Sequence, residues 1–423
     1  MTEKRLRVAI IGAGPAGLSA AIEFQRLPFV DLRIYEQATV LREIGSGLSL
    51  QRNTWRMLES LGALKHIKPE EMFRAADGHS VQHRNGRTGE LIVSHSQGGT
   101  PPRHLHARVF RSVLQKALLR TLDQEKTTIH LSSRLQRITQ QTATGPLTLH
   151  FSNGHTDEVD LLIGADGVRS AVRQFAFPEH KIAYTGRTAY RGLIPTENIL
   201  AIPGFPDAVT FWHGPRDWVY TCNLRRGVHE LTCNADVPND EGRVRWEEEA
   251  SLEEFRRPWK DFGPLVQQII GLATDVQRFA LFAGPRLESV VSRESIALIG
   301  DASHPLSGAF GNGAGFALED SYVLARAVEW AYERGHDLNR GLDIYDRVRS
   351  PHYKAMYAIL DSFRKSDTEL ENVNLSFDEG TAHTIRGKWG REYGWLYDYD
   401  VQEVWGKAAA EEDVRSQQEV ARL

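Results

Sequence analysis

Arg7-Val8-Ala9-Ile10-Ile11-Gly12-Ala13-Gly14-Pro15-Ala16-Gly17 is a short apolar, β-branched run closed by glycines at G-x-G-x-x-G spacing. That pattern predicts a buried strand, a tight turn and the first turn of a helix. Gly12 allows the turn, Gly14 lets a pyrophosphate come close to the backbone, and Gly17 lets the helix pack on the strand. The helix N-terminus then offers unpaired N–H groups and the positive end of its dipole to the anion. An amphipathic run from Leu18 to Leu27, a stop at Pro28 and a second strand from Leu32 to Glu36 complete the unit. Glu36 falls at the distance after Gly17 where an acid meets a ribose hydroxyl.

The chain has 423 residues, a net charge of -4, 41% hydrophobic and 25% charged residues. Its length allows about two or three domains with a large core and no need of staples. The charge balance gives no reason to expect nucleic acid, so an anionic ligand must be drawn by local basic residues. Cys222 and Cys233 form no C-x-x-C pair, which argues against a disulfide framework or thiolate metal site and for a reducing compartment. His104 and His106 lack the carboxylate or thiol companions of a metal site. With a strand starting near residue 6 and no apolar run of membrane-spanning length, a cytoplasmic protein with no membrane partner is expected. The final Ala421-Arg422-Leu423 loosely resembles a peroxisomal address.

Farther along, a glycine-bearing loop around Gly45 and Gly47 leads into a strand, and Asn53 to Leu61 reads as a helix closed by Gly62. Residues 75–102 read as hairpins leaving the first domain, and Val109 to Leu122 as a helix. Thr128 to Leu131, Leu135 to Thr139 and Leu147 to Phe151 are strand-like. Asp160 to Gly164 is a second buried strand, ending at Asp166-Gly167 before a helix from Ser170 to Phe175. From Thr185 to Val237 the strands carry Tyr190, Phe211, Trp212, Trp218 and Tyr220, as expected of an antiparallel sheet with one face over a ligand. Glu247 to Ile270 reads as charged helix, with Glu247-Glu248-Glu249 as a solvated face and Ser251 and Glu254 as a capping box. Ser295 to Ile299 is a third buried strand, ending at Gly300-Asp301, with a long helix from Phe316 to Trp330 beyond it. Pro351 precedes a helix from Tyr353 to Arg364, an aromatic cluster runs from Trp389 to Trp405, and a polar helix closes the chain.

Three distant segments thus repeat one pattern: apolar strand, Gly or Asp at its carboxyl end, helix. In an open α/β sheet those strand ends should converge on one ligand. In this order and over nearly the whole chain, the segments resemble the flavin aromatic monooxygenases, specifically the salicylate-hydroxylase-like group with the para-hydroxybenzoate hydroxylase fold. The resemblance implies an α/β fold: a Rossmann-like FAD-binding domain (1–74, 105–182 and 286–370), an antiparallel-sheet substrate domain (75–104 and 183–285) and a C-terminal helical tail (371–423).

The resemblance further implies FAD and NAD(P)H as cofactors. Gly12, Gly14, Ala16 and Gly17 would meet the pyrophosphate, Glu36 the adenosine ribose and Asp301 the ribityl chain, with Asp166 and Gly167 on the second motif beside Arg169, Ser170 and Arg173. Gly311, Gly313 and Ala314 would open a helix onto the flavin edge. Arg111, with Arg108 as a near alternative, and Arg42 fall where the family carries FAD-contacting basic residues. The implied reaction is hydroxylation of a small phenolic or aromatic carboxylate substrate by O₂ through a flavin C4a-hydroperoxide, decarboxylative where a salicylate is attacked at its carboxylate-bearing carbon. A biosynthetic hydroxylase or epoxidase acting on a polyketide or alkaloid is the alternative. Arg191 would hold substrate anionic charge, and His213 or Tyr220 would assist deprotonation or position the phenol. His304 is equally suited to holding its loop or touching substrate. The chain departs from the family in the loop Ser307-Gly308-Ala309-Phe310 and in Gly311-Asn312-Gly313. A monomer or homodimer is expected.

Overall fold

The computed structural model describes residues 5–41, 46–76, 78–142, 145–237, 247–305, 311–371, 373–391 and 393–420. Arg42, the loop 306–310 and the C-terminal tripeptide lie outside them. The opening motif forms strand β1 (Leu6–Ile11) and helix α1 (Pro15–Phe24). The helix begins at Pro15, whose missing N–H is harmless in a first turn. It is buried on every side from Gly17 to Phe24, so the expected amphipathic stripe is replaced by an all-round buried helix. Even Glu23 is enclosed, paired with Arg26 at 3.0 Å and Arg326 at 3.4 Å.

A six-stranded sheet carries β1 at its centre. Its order is β18 (Val291–Ser292), β19 (Ile296–Leu298), β11 (Leu161–Gly164), β1, β2 (Val30–Tyr35) and β7 (Thr127–His130), parallel except at β18. The three strands that end in chemistry-bearing turns, β19, β11 and β1, are therefore immediate neighbours. A three-stranded sheet, β8 (Leu135–Gln140), β9 (Leu147–Phe151) and β10 (Thr156–Val159), lies between β7 and β11 in the chain. β3 (Gly47–Leu50) pairs with β6 (Ala107–Phe110), and α2 (Arg52–Leu61) and α3 (Arg111–Thr121) follow these strands.

The second large sheet has eight strands in the order β16 (Glu247–Glu249), β17 (Gln277–Ala283), β12 (Ala183–Pro195), β15 (Val228–Asp236), β14 (Trp218–Asn223), β13 (Thr210–His213), β4 (His79–Asn85), β5 (Leu91–Ser96). The hairpin β4–β5 thus joins strands more than a hundred residues later. The acidic run is a strand and not a helix face: Glu248 lies opposite Arg278 and pairs with it at 2.5 Å, and this cross-strand pairing outweighs helix propensity.

Register separates the two faces of this sheet. Tyr190, Cys233, Val219 and Trp212 share one row and pack on Phe255, Trp259 and Ile269. Those three come from α6 (Leu252–Arg256) and α7 (Pro264–Gly271) and the turn between them, beyond the short α5 (Thr196–Leu200). The adjacent row, Arg191, Thr232, Tyr220, Phe211 and His83, belongs to the opposite, polar face.

The same half of the fold as the six-stranded sheet holds α4 (Ala171–Ala176), α8 (Gly313–Glu333) and α9 (Leu338–Glu371). A helix was expected only beyond Pro351, from Tyr353 to Arg364; that stretch is helical, but α9 begins before the proline and passes through it. Buried Tyr345, Arg349 and Tyr353 flank the proline and are anchored by hydrogen bonds to Leu298 O, Asp320 and each other, so tertiary packing offsets the lost backbone bond. α10 (Phe377–Trp389), α11 (Gly394–Asp398) and α12 (Val401–Val420) complete the chain. Among the described residues no helix is long and apolar enough to cross a membrane.

Candidate active site

The three turns at the strand ends touch one another. Gly12 adopts φ +104°, and a Cβ there would stand 2.5 Å from the Ala165 carbonyl oxygen, in the turn after β11. Gly300, at φ +58°, would place a Cβ 2.8 Å from that of Ala16 in α1. A Cβ on Gly17 would collide with the Gly12 carbonyl, whereas one on Gly14 would meet no atom of the described residues beyond its chain neighbours within 4 Å. Gly17 therefore serves packing, and Gly14 borders open space at the N-cap of α1. The half-buried Glu36 carboxylate accepts the N–H groups of Ala13 (2.9 Å) and Ala38 (2.8 Å), bracing the glycine turn.

Asp166 is occupied within its own turn. Its carboxylate accepts the Ser170 hydroxyl and the N–H groups of Ala171 (2.7 Å) and Val172 (3.1 Å), at the N-terminus of α4. Its side chain thus caps the turn; Gly167 follows at φ +76°. Arg173, buried, donates to the carbonyls of Val168, Asp301 and Ala302 (2.8 Å) and so ties the second turn to the third. Asp301 itself is exposed, and its carboxylate carries no hydrogen bond among the described residues. Gly313 begins α8 directly beside it, 3.9 Å from Oδ1 to an added Cβ, with Ala314 next in the helix.

The first turn of α8 holds polar atoms without partners. Asn312 is fully buried, yet neither amide atom is bonded among the described residues, nor are Asn53 Oδ1 and Thr54 Oγ1. A Cβ on Gly315 would sit 2.5–2.8 Å from Asn312, Asn53 and Thr54, so glycine is required for this cradle. Gly311, at φ +60°, packs on Ser49. Orphaned buried amides are costly unless a ligand completes them.

Beneath this turn lies a buried charge cluster that sequence reasoning missed. Asp320 accepts Gly300 N–H (2.9 Å), Arg349 Nε (2.8 Å) and the Tyr353 hydroxyl (2.6 Å), and pairs with His304 Nε2 (2.9 Å). Arg349 also reaches Glu319 (2.9 Å), which accepts Asn53 Nδ2 (2.7 Å). Burial would raise the Asp320 carboxyl, but Arg349 and then His304 override it and hold it down at about 2. Two adjacent acids, Glu319 and Asp320, in the buried first half of α8 were the available signal. His304 is thus engaged with Asp320.

On the polar face of the eight-stranded sheet, His213 and Tyr220 prove to share a side, since Phe211 pairs with Tyr220 and His213 with Trp218. His213 Nε2 lies 2.9 Å from Nδ1 of His83, and burial, then Lys388, pushes His213 down to about 3. His83, on a distant strand, carried no local signal. Tyr220 is buried with the Arg108 guanidinium 5.2 Å from its ring centroid, and burial raises its phenol well above the usual value. Arg191 is half-buried on β12, 4.8 Å over the Phe279 ring and with Nη1 3.5 Å from Ser46 Oγ. Arg111 opens α3, and its N–H donates to Ser46 O (3.0 Å). Arg108, the alternative to it, instead turns into a buried pair with Glu230.

A family model described as FAD binding domain matches residues 5–359. The 3-amino-4-hydroxybenzoate 2-monooxygenase PtnB3 of Streptomyces platensis is 27% identical over 95% of this chain and 98% of its own. The 6-methylsalicylate 1-monooxygenase atA of Aspergillus terreus is 29% identical over 94% of this chain and 90% of its own. Among solved structures, a salicylate hydroxylase substrate complex superposes with TM-score 0.77 at 21% identity, covering 96% of this chain and 98% of the other. CtdE in complex with FAD and substrate 4 gives 0.79 at 20% identity, covering 97% and 100%. The open space at Gly14 and the orphaned amide of Asn312 fit the cofactor of such proteins. With the match running from the first strand into the long helix through Pro351, this chain belongs to the FAD binding domain family and is a flavin-dependent monooxygenase.

Proposed function

We propose that the protein consumes NAD(P)H and O₂ to hydroxylate a small phenolic or aromatic carboxylate substrate. The balance is substrate C–H, O₂, NAD(P)H and a proton giving substrate C–OH, NAD(P)⁺ and water; where the carbon attacked bears a carboxylate, CO₂ leaves in place of the ring proton and a second proton is taken up from solvent. When bound, FAD passes electrons from the nicotinamide to O₂ and delivers an electrophilic oxygen. The chain's own residues must orient the ring, exclude water and favour the phenolate. The observation that carries this reading is the polar sheet face, where Arg191 and Tyr220 share one cross-strand row and His213 stands on the same side. The hydroxylated aromatic acids in the names of the two relatives support it. His213, pushed down to about 3, is neutral at ordinary pH and can exchange a hydrogen bond with a phenol but supplies no charge. Arg191 is the fixed positive group of this reading, since Arg108 beside Tyr220 is already paired with Glu230.

Two results are expected. Asp301→Ala should weaken FAD binding by about 1.5–3 kcal/mol, roughly ten- to a hundred-fold, because an exposed carboxylate that carries no hydrogen bond among the described residues can accept ribityl hydroxyls. Titration of apoprotein with FAD reads this directly, and an unchanged dissociation constant places Asp301 elsewhere. Arg191→Ala should lose at least about 2 kcal/mol in kcat/KM, about thirty-fold, with FAD retained and peroxide rising. Arg191→Lys should fall between. The function itself is tested with the purified yellow protein, by oxygen uptake and NADH or NADPH oxidation against a panel of phenols and aromatic acids. Oxidation that no aromatic stimulates would refute it.

A further inference from the structure

A buried ion pair joins the two large bodies of the fold. Glu230, on β15 of the eight-stranded sheet, receives Nη2 of Arg108, on β6 beside the cofactor-bearing half, and both side chains are nearly inaccessible. The same carboxylate accepts the N–H of Gly47 at 3.1 Å, while Arg108 Nη1 donates to Ser49 Oγ at 3.1 Å. A Cβ on Gly47 would stand 2.7 Å from Arg108 Nη2, 2.7 Å from Glu230 Oε2 and 2.6 Å from Leu224 Cδ2, so the backbone rests directly on the pair. One residue earlier, Ser46 meets Arg191 through its hydroxyl and Arg111 through its carbonyl. Two residues later, Ser49 underlies Gly311, the turn that opens α8.

Stability does not account for this pair. Burying two charges costs about as much as their attraction returns, and apolar residues of similar volume commonly serve as well or better. Shared positioning does account for it, because an ion pair with fixed donor geometry sets the registry of the surfaces that carry it.

We infer that Glu230, with Arg108, is a positioning residue that holds the Ser46–Gly47 step and thereby sets the distance between the substrate arginine Arg191 and the cofactor half of the fold. This rests on the reading of Arg191 given above. Without the pair, FAD still binds and is reduced, but the ring is no longer held where oxygen is delivered, since small misplacements strongly lower transfer rates.

The test uses FAD-loaded protein and the double variant Arg108→Met/Glu230→Met, which leaves no orphaned charge. Hydrogen exchange of the Gly47 amide should quicken by about ten-fold or more. Product formed per NAD(P)H consumed should fall by about five-fold with FAD content retained. Glu230→Gln, which keeps a carbonyl for Gly47, should fall between. Parental exchange and parental coupling in the double variant would overturn the inference. So would a Glu230→Gln defect in coupling that the double variant repairs together with its melting temperature, for the pair would then only compensate charge. If no aromatic stimulates the parent, the functional reading fails by itself, and the Gly47 exchange rate still decides whether the pair holds the step.

Discussion

Arg349→Met is expected to lower the unfolding free energy by about 3–5 kcal/mol, the cost of removing one partner from a buried ion pair. The guanidinium is inaccessible, with Asp320 on Nε and Glu319 on Nη2, and methionine of similar volume replaces its packing but not its charge. Asp320 would then sit in the core with only His304, Tyr353 and Gly300 N–H to balance it. Burial already raises Glu319, with Arg349 the foremost opposing influence, so the Glu319 carboxyl should be raised further in the variant. Urea unfolding of parent and variant measures the loss, and equal midpoints would show that the cluster contributes nothing to stability. The acid limb gives a second check. Asp320 is held at about 2 in the folded chain against 3.8 for the free group, so its stabilisation is present above about 3.8 and is lost as pH falls toward 2. Without Arg349 the folded value rises, and acid unfolding should begin at higher pH.

This cluster also shows where sequence reading stops. Gly12, Gly14 and Gly17 were legible because the turn they build is set by neighbours, and the apolar runs of β1, β11 and β19 announced strands whose adjacency follows from parallel-sheet topology. The partners that complete the site are not local. Asp320 meets Arg349 across 29 residues, Arg108 meets Glu230 across 122, and His83 meets His213 across 130. No periodicity links such positions. Alternation along β13 and β14 could not place His213 and Tyr220 on one face until the register of the hairpin was known. The helix through Pro351 and the strand at Glu247–Glu249 were misread for the same reason, since anchoring by Leu298 O and Asp320, and pairing with Arg278, come from distant parts of the chain. Asp166 differs: its partners Ser170, Ala171 and Val172 stand within six residues, so the cap it forms is a local feature.

Gly14→Val should produce a folded, colourless protein that takes up no FAD. The residue sits at φ -74° and ψ -176°, extended backbone that valine adopts without strain, and its Cβ would stand where no atom of the described residues beyond its chain neighbours lies within 4 Å. Within the chain the substitution therefore costs only what a poorer N-cap costs, about 1 kcal/mol or less. The whole of the remaining effect falls on whatever approaches the helix N-terminus, and a pyrophosphate drawn there by free N–H groups would meet the valine methyls instead. Gly17→Ala provides the contrast: its Cβ would strike the Gly12 carbonyl, so that variant should lose the fold and the cofactor together. Far-ultraviolet circular dichroism with thermal melting separates the two cases, and quenching of FAD fluorescence on titration reads binding. A Gly14→Val protein that purifies yellow, with the parent's FAD content, would mean that the pyrophosphate does not pass over this glycine and that the open space beside it belongs to solvent.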